Sequence, residues 1–176
     1  IPDEYLFDSI KNRTQLLQGL MDSDGHVTSR QKSSISYTTT SEYLAENVKN
    51  LVQSLGGIVN VRSGQNYYTY KGIKKLGHIY YLLNISLPIN VVPFKLKRKL
   101  NNFTPRKKYL PRRVISKVEL VKQEECQCIL IDHKNHLYLT NDYIVTHNTY
   151  MSVYAAINLL AKNTNKEIIY VRSIAE

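Results

Sequence analysis

Cysteine is nearly absent from this 176-residue chain: there are two, Cys126 and Cys128, with one residue between them. On a strand they would point to one face. Two thiols make no disulfide framework, and without two further ligands at finger-like spacing they make a poor zinc site. Reduced thiols in a reducing compartment are the expectation. No apolar run reaches the roughly eighteen residues that span a bilayer, and the first residues form neither a basic nor an apolar leader. A cytoplasmic location with no membrane partner is therefore expected. Neither an internal repeat nor a Gly-x-x-x-x-Gly-Lys run occurs. An initiating Met is missing too, so the chain, opening at Ile1-Pro2, is expected to be a fragment. Acids are scarce, 14 Asp and Glu against 24 Lys and Arg, for a formal net charge of +10. That surplus favours a polyanion, because each cation set on a phosphate releases a condensed counterion. Nucleic acid is the first choice.

What is present is enough apolar residue, 43%, for one ordinary domain or two small ones. From Ser9 to Met21 the residues Ile10, Leu16, Leu17, Leu20 and Met21 predict a helix that Asp22-Ser23-Asp24-Gly25 ends with turn chemistry. His26 to Thr39 is short of core residues and predicts a polar-faced strand pair. Ser41 to Leu55 carries a stripe of Leu44, Val48, Leu51, Val52 and Leu55, with Ser41 as N-cap and Gly56-Gly57 as stop. Two β runs follow, Ile58 to Arg62 and His78 to Leu87, joined by a polar stretch holding Tyr67, Tyr68 and Tyr70. The order helix, two strands, helix, two strands is an α+β unit. Lys95 to Arg113 holds nine Lys or Arg and no acid. Its first half predicts the end of a basic helix, and Pro105 and Pro111 make its second half a linker. After Arg113 come short β segments, Val114 to Val121, Cys126 to Asp132, Leu137 to Thr140 and Tyr143 to Val145. A helix over Tyr150 to Ala161 and a strand over Glu167 to Arg172 close the chain.

The stretch Leu17-Gln18-Gly19-Leu20-Met21-Asp22-Ser23-Asp24-Gly25 resembles the signature of the LAGLIDADG homing endonucleases. Gly19 inside a helix costs about 1 kcal/mol against Ala, tolerable where another backbone must approach. Two helices packed through such a face would bring two acidic ends together, and one carboxylate from each could hold divalent metal over a DNA duplex. The resemblance implies Mg2+ as cofactor, double-stranded DNA as partner, Asp24 in the catalytic metal-binding place and Asp22 serving the turn. It also implies an upstream partner repeat and a catalytic Lys just before Ile1-Pro2, both outside this chain. An EF-hand fails, needing an oxygen ligand where Leu20 sits and a Glu at its twelfth position. Against these stands a plain helix cap. Thr28, Arg30, Lys32 and Ser34 would share a strand face able to touch bases or phosphates, or form an ordinary solvated face. Arg30, Lys32, Arg62, Lys97 and Lys99 are the candidate DNA-binding residues.

Asn135-His136-Leu137-Tyr138-Leu139-Thr140-Asn141-Asp142-Tyr143-Ile144-Val145-Thr146-His147-Asn148-Thr149 is similar to the last two motif blocks of inteins. An Asn side-chain amide can attack its own backbone carbonyl, forming a succinimide and cutting the next peptide bond, so Asn148 would release Thr149. The carbonyl must be polarised and the leaving amine protonated, work for imidazoles. His147 is adjacent, and His136 would return to it from a neighbouring strand. Thr149 supplies the hydroxyl that accepts the upstream acyl group. No cofactor is implied for splicing. Cys128 falls where many inteins have an Asp that assists the first acyl shift. In one intein class a Cys there, with Thr after the junction and a Trp in an upstream block, is the first nucleophile. An assisting thiol, a nucleophile and a buried spectator remain open, and Cys126 has no role.

Thr149 to Glu176 is then expected to be host protein. The run Thr149-Tyr150-Met151 with Ile168-Ile169-Tyr170-Val171-Arg172 looks like a PhoH-type P-loop ATPase, with Thr149 the former magnesium-binding hydroxyl. The full expectation is α+β: a second LAGLIDADG αββαββ half-domain over 1–103, a basic linker over 104–113, the C-terminal β segment of a Hint (intein) fold over 114–148, and a short helix-strand extein over 149–176. The missing partner is the N-terminal intein half with the first repeat. Two rivals are a basic DNA-binding module without catalysis, which leaves the His-Asn-Thr junction unexplained, and a fragment of a P-loop ATPase, which explains the tail alone.

Overall fold

In the computed structural model, residues 1–28, 34–105, 114, 117, 119, 129 and 131–146 are described. The chain divides into two compact units, Ile1–Arg112 and Arg113–Glu176.

The first unit begins with a one-turn helix, α1 (Asp3–Leu6), followed by α2 (Ile10–Ser23). Ser9 caps α2, its hydroxyl accepting from the Asn12 amide at 3.2 Å. Strands β1 (Gly25–Val27) and β2 (Ile35–Thr39) lead to α3 (Glu42–Ser54), capped by Ser41 on the Leu44 amide at 3.2 Å. Gly56, with φ +79°, ends α3 in the left-handed conformation. Strands β3 (Ile58–Tyr70) and β4 (Ile73–Ser86) and a short helix α4 (Lys97–Leu100) complete the unit. The four strands form one antiparallel sheet in the order β1-β2-β4-β3. The expected order of helix, two strands, helix, two strands is present.

Three details differ from the sequence expectation. The tyrosine-bearing polar stretch is strand, not connection: β3 and β4 pair out to Tyr70 and Ile73, and Lys71 and Gly72, both with positive φ, make the two-residue turn. The sequence there is polar because the paired arm is exposed on both faces, so it has no apolar alternation to read. In β2, Ile35 and Tyr37 are core residues, 4% and 2% exposed. Conversely Ile10, placed on the apolar face of α2, is 68% exposed.

The core lies between the helices and one sheet face. Leu17 and Met21 of α2, Val48, Leu51 and Val52 of α3, and Leu83 and Ile85 of β4 are buried, and Val91 and Phe94 close it from the following segment. Polar ties fix α2 at both ends. Arg13 donates to the carbonyls of Asp8 (2.8 Å) and Ser54 (3.1 Å), and Gln18 donates to the Val92 carbonyl (2.9 Å).

In the second unit, β5 (Tyr138–Thr140) pairs antiparallel with β6 (Ile144–Thr146) across a 3-10 turn, Asn141–Tyr143. The segments expected over 115–128 and 150–172 lie almost wholly outside the described residues. Among the described residues no helix is long and apolar enough to cross a membrane.

Candidate nucleic-acid and metal site

Alternation along the strands decides what the sheet presents. Register places Tyr37, Leu83 and Val61 side by side on the helix face. The next row, His26, Ser36, Asn84 and Asn60, and the row of Thr38, Leu82 and Arg62, then fall on the opposite face. Among the described residues no helix of the unit covers that face, and Thr38, Asn60 and Arg62 are exposed. Beyond β2 the β3–β4 arm continues it, where a shallow groove of about 550 Å3 is lined by Asn66, Tyr67, His78 and Tyr80. Lys74 lies over the Tyr67 ring at 4.5 Å. Amide, hydroxyl, imidazole and guanidinium groups in register can read base edges and phosphates together. Arg62 is a candidate named from the sequence. Ser36, Thr38, Asn60 and Asn84 are not, and the signal was available in the period-two polar residues opposite Tyr37, Leu83 and Ile85.

Asp24 stands between the end of α2 and β1, the edge strand whose His26 lies on this face. Its backbone amide donates to the Leu20 carbonyl at 3.1 Å, ending the helix, and the next residue, Gly25, opens β1. Gly25 has no alternative: a Cβ there would lie 2.5 Å from the Met21 carbonyl oxygen. The Asp24 side chain is exposed, with Ser23 Oγ 3.5 Å from Oδ2. It is near enough to the buried Tyr37 phenol to add to the effect of burial, which raises that group's pKa above 10.0. A solvent-facing carboxylate is a hard oxygen donor suited to Mg2+. Among the described residues no three His, Cys, Asp or Glu converge, so further ligands would have to come from beyond them.

Asp22 does something else. Its carboxylate accepts from the amides of Lys95 (3.0 Å to Oδ2) and Leu96 (3.2 Å to Oδ2), the residues that lead into α4. It ties two segments together and does not serve its own turn.

Lys99 requires a correction. Expected on DNA, it is 8% exposed, and its ammonium points inward onto the carbonyls of Met21 (2.7 Å), Asp22 (2.8 Å), Ser23 (3.4 Å) and Gly25 (2.6 Å). An ammonium with its donors occupied inside the fold is not available to a phosphate. Burial lowers its pKa, Arg98 lowers it further, and Asp22 and Asp24 oppose both. Lys97 is exposed on the same short helix. Arg30 and Lys32 lie outside the described residues.

The face of α2 away from the core is open. Nothing lies within 4 Å of where a Cβ on Gly19 would stand, and Leu16 and Leu20 beside it are only half-buried.

Of the second site, His136 is described. Its φ is +49°, its amide donates to the His133 carbonyl at 2.8 Å, and its Nδ1 is 2.9 Å from the Ile131 carbonyl. A carbonyl only accepts, so Nδ1 is the donor in this contact. Cys128, His147, Asn148 and Thr149 lie outside the described residues.

Comparison with known proteins bears on the first unit most directly. The chain is 32% identical over 154 residues to a replicative DNA helicase DnaB of Mycobacterium intracellulare, an alignment covering 85% of this chain and 25% of that protein. The chain thus spans about a quarter of the relative it matches. Residues 12–87, from the first turns of α2 to the end of β4, match the LAGLIDADG-like domain family, which relates this part of the chain to the homing endonucleases and inteins.

Proposed function

We propose that the first unit is one half of a LAGLIDADG homing endonuclease that makes site-specific double-strand breaks in DNA with Mg2+. The observation that carries the reading is the placement of Asp24: an exposed carboxylate at the end of a helix, directly before the edge strand of the sheet. The open Gly19 face supports pairing with a second helix of the same kind, which would supply the second carboxylate. Mg2+ held there would activate water and stabilise the leaving oxygen. Asp24 would bind it, while Arg62, Lys97, Arg30 and Lys32 would hold the duplex, with Asn60 and Asn84 adding base contacts. In the full-length protein, on a target selected from random DNA, Asp24→Asn should lower Mg2+-dependent nicking at least about a hundredfold while DNA retention stays within about twofold. Unchanged nicking contradicts the reading.

The second unit would be the C-terminal part of the intein, cutting at Asn148 and joining its flanks. The β5–β6 hairpin supports this: Tyr138 pairs with Thr146, and in the sequence the hairpin begins two residues after His136 and ends two before Asn148. His136 would act on the Asn148–Thr149 bond together with His147. Thr149 would accept the acyl group, and Cys128 would assist or begin the first shift. Residues 149–176 would be host protein of P-loop type. Asn148→Ala in the full-length precursor should abolish ligated product and retain precursor by intact mass. Ligation at the normal rate would overturn this assignment.

A further inference from the structure

We infer that Lys99 and Asp22 form a two-way clasp that sets the position of Asp24, making Lys99 a positioning residue for the metal carboxylate. The inference rests on the endonuclease reading above.

A helix ends with carbonyls that no amide within it can satisfy, and its C-terminus carries partial negative charge. An exposed α2 end would be free to fray through the residue that matters, Asp24. Lys99 prevents this from inside the fold. Its ammonium takes the carbonyls of Met21 and Asp22 before Asp24 and of Gly25 after it, all within 2.8 Å. Asp24 is thereby bracketed: the peptide on either side is fixed while its own side chain stays exposed. The reverse link runs from the helix to the lysine's own segment, the Asp22 carboxylate accepting from the Lys95 and Leu96 amides. The segment carrying Lys99 cannot move away without breaking that second link, and α4 cannot shift without disturbing the α2 end. Gly25 fits the same logic, since a side chain there would push β1 off the Met21 carbonyl.

The stem of Lys99 is buried in the same place, so Lys99→Met keeps the apolar volume and removes the donors. Two readouts on the full-length protein test the clasp. Without metal, hydrogen–deuterium exchange at residues 22–25 should quicken at least about tenfold in Lys99→Met while protection in α3 and β4 holds. With Mg2+, nicking should fall at least about tenfold and need more Mg2+ for half its maximum, while DNA retention in Ca2+ stays within about twofold. Unchanged exchange at 22–25, or a uniform loss of protection and DNA retention, overturns the inference. If Lys99→Met does not fold, Asp22→Asn opens the clasp from its accessible side. It should raise the Mg2+ requirement at least about threefold, and an unchanged requirement is the contrary result. Asp24→Asn separates the two levels: if it leaves nicking intact, the endonuclease reading falls and this inference with it. If it abolishes nicking while Lys99→Met changes nothing, the clasp alone is wrong.

Discussion

The two units would carry their proposed chemistry in different ways. In residues 1–112, the candidate carboxylate is an outcome of tertiary packing: Asp24 stands where it does because Leu17 and Met21 bury α2, Gly25 admits the close turn and Lys99 ties the end. In residues 113–176, none of the described residues is buried, and of the groups proposed to react His136 lies just before a short hairpin. Intermolecular DNA hydrolysis needs a rigid platform that holds a large partner. An asparagine attacking its own backbone needs its reactants only oriented, since the chain already joins them.

That contrast can be broken in either unit, and the largest effect is expected in the second. His136→Ala should slow release at Asn148 by about 10²–10⁴-fold, the usual contribution of a positioned acid–base group, with the unfolding midpoint of the protein unchanged. A mass-spectrometric time course checks the first part and a urea titration the second. Leu83→Ala should do the opposite, since Leu83 is 0% exposed at the centre of the sheet. A loss of about 2–5 kcal/mol is expected in urea unfolding, against under about 0.5 kcal/mol for Leu139→Ala in β5, where the side chain is 58% exposed.

Gly25→Ala should cost about 1–3 kcal/mol because the new methyl meets backbone. Its signature is loss of α2 C-terminal protection before the rest of the fold. Ser41→Ala should cost about 1 kcal/mol by removing the α3 cap, read by the same titration. The smallest effect concerns pH. Tyr37 has a folded pKa raised above 10.0 by burial first and by Asp24 second. Its contribution to stability is therefore whole below pH 10 and is lost as pH rises through the higher folded value. Tyr37→Phe should flatten that alkaline slope in denaturation curves measured between pH 9 and 11.

Much of the first unit was legible in the sequence because its helices have one apolar side. The Val48, Leu51, Val52 and Leu55 stripe and the Ser41 and Gly56 punctuation mark α3 nearly to the residue. The β3–β4 arm was read as a connection because it buries neither face, so period-two alternation never appears. Lys99 was misjudged for a related reason. In a run of nine cations with no acid, nothing local distinguishes the one facing inward, and its partners are backbone carbonyls more than seventy residues away. Asp22, expected to serve its own turn, has partners that were invisible for the same reason, the amides of Lys95 and Leu96.

The most direct test of the central claim is to find the metal. Crystals of the full-length protein on its selected DNA, grown with Mn2+ in place of Mg2+, should show anomalous density about 2.1 Å from a carboxylate oxygen of Asp24 and none at Asp22. Density at Asp22, or at neither residue while the DNA is cut, would contradict the account.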